Sequence, residues 1–257
     1  MATLWQRELT HFFRQPARVA GLVAAPLLFW FFLGSGLGAS FRPPSVAADA
    51  GYLRYFFPGT VVMIVLFSSI FSNMSVIEDR RDGFLQSVLV APITRSSLVL
   101  GKVLGGTTQA MLPGLLFLLV GPTVGFSLRP LPVLLAVGVL FLIAFSLTTM
   151  GFAIAWWMDS AQGFHAILNL VLIPMWLLSG AVFPASGASM WIQWVMRINP
   201  LTYEVAALRR ALFEPHLAVA ADVAPLGLSL AISALFCLLS LIAALVWSGR
   251  PTVKQLT

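Results

Sequence analysis

The side chains that could do chemistry are few and far apart. His11, His165 and His216 fall in three separate segments, so no pair of imidazoles is spaced to hold a metal. Gly101-Lys102 runs into Val103 and lacks the upstream glycine of a phosphate-cradling loop, which excludes nucleotide binding of that kind in this chain. Ser179-Gly180 lies in an apolar run, but no fuller serine-protease motif surrounds it and no histidine pairs with it. An enzyme active site is therefore not expected. What remains is charge. Glu78-Asp79-Arg80-Arg81-Asp82 is the densest cluster in the chain, with long apolar runs on both sides. A soluble partner could grip a cluster of this kind.

The residues after the cluster have helical spacing. Phe84, Leu85, Val88 and Leu89 share one stripe, with Ile77 one heptad earlier, while Glu78, Asp79, Arg81, Asp82 and Gln86 take the other faces. Gly83 weakens the helix, Pro92 ends it, and Thr94 or Ser96 can cap the next one. Spacing alone leaves two readings open. One is a short amphipathic helix at the water boundary, available to a soluble partner; the other is an ordinary charged loop between two spans.

The apolar runs set the environment. Of 257 residues, 59% are hydrophobic and 9% charged, against about 25% charged in a soluble domain. With a mean hydropathy of +0.94, this reads as a polytopic membrane protein, one membrane domain over residues 1–257. The net charge of +6 is scattered at span ends, where Lys and Arg orient a membrane protein, so nucleic acid is not implied. The single cysteine, Cys237, excludes an intrachain disulfide.

Crossing a hydrocarbon core of about 30 Å takes ~20 apolar helical residues. Six runs qualify: 19–41, 55–77, 103–128, 131–158, 160–183 and 223–249. The first follows a basic amphipathic segment and is long enough to span, so no cleavable signal peptide is expected. None holds Asp, Glu, Lys or Arg in its interior, whereas ion-coupled carriers need such residues. That points to energy delivered from outside the bilayer and to a pathway for amphipathic or apolar cargo. Asn73, Gln109, Thr148, His165 and Asn169 could line it, and each also suits an interhelical hydrogen bond.

Two shorter segments complete the plan. Residues 2–16 read as an interfacial helix with Trp5, Leu9, Phe12 and Phe13 on one stripe, Arg7, Glu8, His11 and Arg14 off it, and Pro16 as its break. An even number of spans puts both termini on one side, and Arg7, Arg14 and Arg18 favour the inside. The cluster at 78–90 then faces the cytoplasm, and Asp159 reads as a helix cap in the other inner turn. On the outer side, residues 186–214 read as two short helices dipping into the leaflet, with Trp191 and Trp194 at headgroup level. Asn199 followed by Pro200 is a strong helix start, and Arg209 and Arg210 oppose the negative end of the helix dipole.

Glu78-Asp79-Arg80-Arg81-Asp82-Gly83-Phe84-Leu85, then Leu89-Val90-Ala91-Pro92-Ile93 and Leu100-Gly101-Lys102, resembles the first cytoplasmic loop of type-2 ABC exporter permeases. These are the membrane subunits of bacterial drug, lipid and polysaccharide exporters. Asn199-Pro200-Leu201-Thr202-Tyr203, with Ala207-Leu208-Arg209, resembles the family's second recurring patch, so the likeness covers essentially the whole chain. The resemblance implies an all-α fold of six transmembrane helices with an interfacial helix at 2–16, a coupling helix at 78–90 and an outer re-entrant hairpin at 186–214. It implies that Glu78, Asp79, Arg80, Arg81, Phe84, Leu85 and Val88 couple to a separate ATPase subunit, which holds ATP and Mg. It assigns an outer gate to Asn199, Pro200, Tyr203 and Arg209. Two permease copies and two ATPase subunits in a bacterial inner membrane complete the expectation, with no catalytic, cofactor or metal site in this chain. One departure is Ala206-Ala207, where relatives often carry an acid before the Leu-Arg, which leaves an ion pair across the hairpin unsupported. An ATPase-independent carrier or channel and a membrane scaffold are the rival readings, and an ATPase in the neighbouring reading frame would discriminate against both.

Overall fold

The structure, a computed structural model, describes residues 2–14, 16–37, 51–83, 94–126, 128–158, 160–213 and 224–249. These are helical almost throughout. The helices are α1 (Ala2–Phe13), α2 (Pro16–Leu37), α3 (Tyr52–Arg81), α4 (Arg95–Leu118), α5 (Pro130–Ala155), α6 (Ala161–Trp176), α7 (Met190–Ile198), α8 (Pro200–Leu212) and α9 (Leu226–Ser248). A π-helical turn, Leu177–Ala181, extends α6.

Local chemistry accounts for the boundaries. Pro16 is better placed to start a helix than to continue one, so α1 stops at Phe13 rather than at residue 16, and Pro16 opens α2. The Thr94 side chain accepts from the Ser97 amide and starts α4 eight residues before the apolar run at 103 begins. Ser160 caps α6 by accepting from Gly163; Asp159, expected in that role, lies outside the described residues. Gly83, at φ +75°, turns the chain off the end of α3, a conformation that a Cβ would strain.

Among the described residues, four helices are long and apolar enough to cross a membrane: α3, α5, α6 with its π turn, and α9. The other two long helices are α2 and α4. α2 contributes the shorter stretch Pro26–Gly36, and α4 carries Lys102, Gly105, Gly106, Thr107, Thr108 and Gln109 in its middle.

α3 is the axis of the bundle, packed by α2, α4, α5, α6 and α8, with Phe56, Phe57, Val61, Val62, Ile64 and Val65 fully buried. α9 shows the opposite pattern. Its buried positions are Ser229, Ser233, Ser240, Ala244 and Ser248, while Leu235, Leu238, Leu239, Ile242 and Val246 are exposed. A soluble helix would bury the leucines. Small residues turned inward and large apolar ones outward suit a helix whose solvent is lipid, where close backbone approach drives packing.

Candidate functional site

The expected functional residues gather at opposite ends of α3. At the Arg81 end, four charged side chains from three helices form one network. Arg7 on α1 grips Asp79 on α3 with both terminal nitrogens, at 3.0 and 2.7 Å. Lys102 on α4 donates to Glu8 at 2.6 Å, to Ser75 Oγ at 3.3 Å, and also to Asp79. Glu8, Asp79 and Lys102 are all buried. The Asp79 bonds hold the Arg7 guanidinium above its ordinary pKa. Gly105 permits the approach of α1, because a Cβ there would meet the Glu8 side chain at 2.8 Å. Gln109 and Thr108 secure α1 further, through Gln109 Nε2 to Glu8 O at 2.9 Å and Trp5 Nε1 to Thr108 Oγ1 at 3.0 Å.

Two further arginines tie neighbouring helix ends to the same place. Arg80 donates to the carbonyls of Trp156 at 2.5 Å and Met158 at 3.3 Å, just past α5. Arg95, at the start of α4, donates to Ser248 O at 3.1 Å and Gly249 O at 2.6 Å, at the end of α9. Each cation satisfies carbonyls that a helix C-terminus leaves open, at the negative end of its dipole. Of the residues expected to face a partner, Asp79 is thus buried and Arg80 half-buried against α5, while Glu78 and Arg81 are exposed. Phe84, Leu85 and Val88 lie outside the described residues.

At the other end the π turn is broken open. Leu178 (φ −93°, ψ 26°) and Gly180 (φ +75°) leave helical geometry, which frees carbonyls in a buried place. Donors from elsewhere meet them. Asn199 Nδ2 reaches Met175 O at 2.6 Å and Leu178 O at 3.0 Å, while its Oδ1 accepts from the Leu201 amide and caps α8. Gly180 O accepts from Tyr55 OH at 2.8 Å and from Arg209 at 3.0 Å. Arg209 also lies over the Tyr55 ring, 4.2 Å from its centroid. Pro200 opens α8 at its first position. Tyr203 OH donates to Arg197 O at 2.8 Å and so joins the two hairpin helices.

The residues considered for a pathway do not share one surface. Asn73 Nδ2 bonds Ser69 O and Thr148 O at 2.8 and 3.1 Å, and Thr148 Oγ1 bonds Ser69 Oγ at 3.2 Å, which fastens α3 to α5. Gln109 is spent on α1. His165 is half-buried, 2.9 Å from the Met74 sulfur, and Asn169 is exposed on α6.

Sequence reasoning missed Glu204. It is fully buried on α8, and Ser146 on α5 is its 2.5 Å partner. The signal was present: Leu201, Glu204, Val205, Leu208 and Leu212 follow helical spacing, which puts an acid on the apolar stripe.

The family model for ABC-2 type transporters matches residues 1–213. A protein of Rhizobium meliloti called nodulation protein J is 30% identical over 201 residues, covering 75% of this chain and 73% of its own. A protein of Cyanophora paradoxa named as a transport permease is 28% identical over 200 residues, 76% of this chain and 68% of that one. A protein of Mycobacterium tuberculosis named as a doxorubicin resistance ABC transporter permease is 24% identical over 205 residues, 79% and 73% of the two chains.

Proposed function

The chain belongs to the ABC-2 type transporter family, and we propose that this membrane permease subunit works in an ATP-driven exporter for an amphipathic or hydrophobic cargo such as a drug, lipid or lipid-linked glycan. The six long helices are its spans, with both termini on the cytoplasmic side of a bacterial inner membrane. Two copies pair, and two separate ATPase subunits dock beneath them, each bringing its own ATP and Mg. Residues 78–90 are the docking element, and 186–214 are the outer hairpin that gates release.

The observation that carries this reading is the collar around the foot of 78–90. Asp79 is bonded to α1 and α4, Arg80 to the end of α5, and Arg95, just past the docking element, to the end of α9. A push on the docking element is therefore delivered to four helices at once through buried ion pairs and charge-assisted bonds, which are short and directional.

The test is reconstitution with a separate ABC ATPase subunit that co-purifies with the permease. In proteoliposomes the pair should move an amphipathic dye only with ATP. Phe84→Asp with Leu85→Asp should leave the permease inserted but separate hydrolysis from dye movement. Normal transport by that double variant sinks the docking role, and dye flux through the permease alone without ATP sinks the exporter reading.

A further inference from the structure

Glu204 is the one carboxyl in the hairpin helix α8, and among the described residues its surroundings offer a negative charge no cation and a single hydroxyl, that of Ser146. It is 0% exposed. The ion pairs among the described residues all lie at the Arg81 end of the bundle, and none includes Glu204. The helix packs against α5, α9, the π turn, α3, α6 and α7. α5 and the π turn contain no Asp, Glu, Lys, Arg or His, and α9 offers only Cys237. On α3 the nearby groups are Tyr52, whose hydroxyl is spent on Val182 O, Tyr55, spent on Gly180 O, and Arg54, stacked on Phe213. His165 on α6 sits beside Met74, and Arg197 on α7 lies over Trp194. On α8 itself, Tyr203, Arg209 and Arg210 donate to the carbonyls of Arg197, Gly180 and Ala224.

The hydrogen count points the same way. Ser146 Oγ is 3.0 Å from Ile143 O and 2.5 Å from Glu204 Oε1, yet a hydroxyl has a single hydrogen. If that hydrogen goes to the carbonyl, the short bond needs its own hydrogen from the carboxyl. Glu204 Oε2 has no hydrogen-bond partner. An isolated buried carboxylate with a bare oxygen is avoided by keeping the proton.

We propose that Glu204 is a proton-operated latch for the hairpin. In the docked state its carboxyl donates to Ser146 Oγ, and Ser146 donates in turn to Ile143 O, one directed chain from α8 into α5. Loss of the proton to water leaves a buried charge with one hydroxyl at Oε1 and nothing at Oε2, too little to replace its hydration, and α8 withdraws from α5 and α9. The consequence for flux rests on the reading of this hairpin as the outer gate; the latch itself does not.

Cys237, half-buried on α9, a helix that α8 packs against, is the reporter the chain already carries. The whole protein in nanodiscs is labelled with a membrane-permeant maleimide across a rising pH series, wild type beside Glu204→Gln. The variant retains a neutral donor to Ser146 but cannot ionise. The ratio of wild-type to variant rates should climb by up to about tenfold per pH unit, the slope of one released proton, and the thiol's own titration largely cancels in that ratio. Infrared spectra of the wild type should show a protonated carboxyl band that Glu204→Gln removes and Ser146→Ala shifts. Ser146→Ala keeps that assignment available should Glu204→Gln fail to assemble. A flat ratio, or no such band in the wild type at neutral pH, overturns the latch. Normal labelling and band behaviour with pH-insensitive flux would leave the latch standing and remove the gate reading instead.

Discussion

Replacing Lys102 by Met tests whether the collar is held by charge or merely by packing. Met keeps most of the buried stem but removes the ammonium shared by Glu8 and Asp79. Asp79 retains both bonds from Arg7. Glu8 is left with Arg7 alone, at 3.5 Å and with 44% of that side chain exposed, so water screens most of the compensation. Taking one partner from a buried ion pair costs ~3–5 kcal/mol, and the surviving Arg7 contact places this loss near the lower figure. In a chain of this size about 1 kcal/mol moves the melting temperature by roughly 2–4 °C, so a fall of roughly 6–12 °C is expected in detergent. Glu8→Gln in the same protein removes the stranded charge and should restore much of the loss, with a coupling energy of ~2 kcal/mol in the four-member cycle. The assay is thermal unfolding of the single and double variants, read beside coupling of ATP hydrolysis to dye movement. Strictly additive losses, or a Lys102→Met protein as stable as wild type, would refute the reasoning.

Three further outcomes follow from the opposite end and from the topology. Asn199→Ala with Tyr203→Ala removes a cap worth about 0.5–2 kcal/mol and strips the donor from Met175 O and Leu178 O, so transport or leak should change while the ATPase still co-purifies; loss of the protein from the membrane would instead make the hairpin a packing element. Gly59→Ala would put a Cβ 2.7 Å from Ala181 Cβ and 2.8 Å from its carbonyl oxygen, and should destabilise by ~1–3 kcal/mol with the shift seen in unfolding; an unchanged melting curve would mean α3 and the π turn do not meet so closely. Single cysteines at Ser87 and at Ser189, in a Cys237→Ser background, should label from opposite faces with an impermeant reagent, and equal labelling from outside in intact cells would overturn the six-span arrangement.

What could be read in advance depended on whether a residue's role is local. Asn199-Pro200 announces a helix start because the cap lies two residues from its partner amide, and Thr94 works over a similar distance. Long apolar runs likewise carry their own meaning. Lys102 was different: it truncated the expected span at 103, because a charge is costly in a membrane unless paired, and its partner Glu8 is 94 residues away. Glu204 showed itself locally as an acid on an apolar stripe, but the Ser146 hydroxyl that meets it lies 58 residues distant on α5. Asn199 was half legible, since its cap is local while its bonds to Met175 and Leu178 close a loop of more than twenty residues. The break at Gly180 follows from a flexible Ser-Gly pair only once donors exist to receive the freed carbonyls.

Tyr55, which donates to Gly180 O, precedes the break, but the other donors are synthesised late. Asn199 lies 21 residues after Leu178, and Arg209 lies 29 after Gly180. At ribosomal rates of about 5–20 residues per second, the segment around Gly180 waits roughly one to six seconds before the last of its downstream partners exists. Lipid cannot satisfy its carbonyls during that interval. The nascent segment must either continue as a regular α-helix that later snaps open, or remain within reach of water until the hairpin arrives. Either way the buried, donor-filled break belongs to the finished chain, and a ribosome stalled before Asn199 would display α6 without the bonds to Met175 O and Leu178 O.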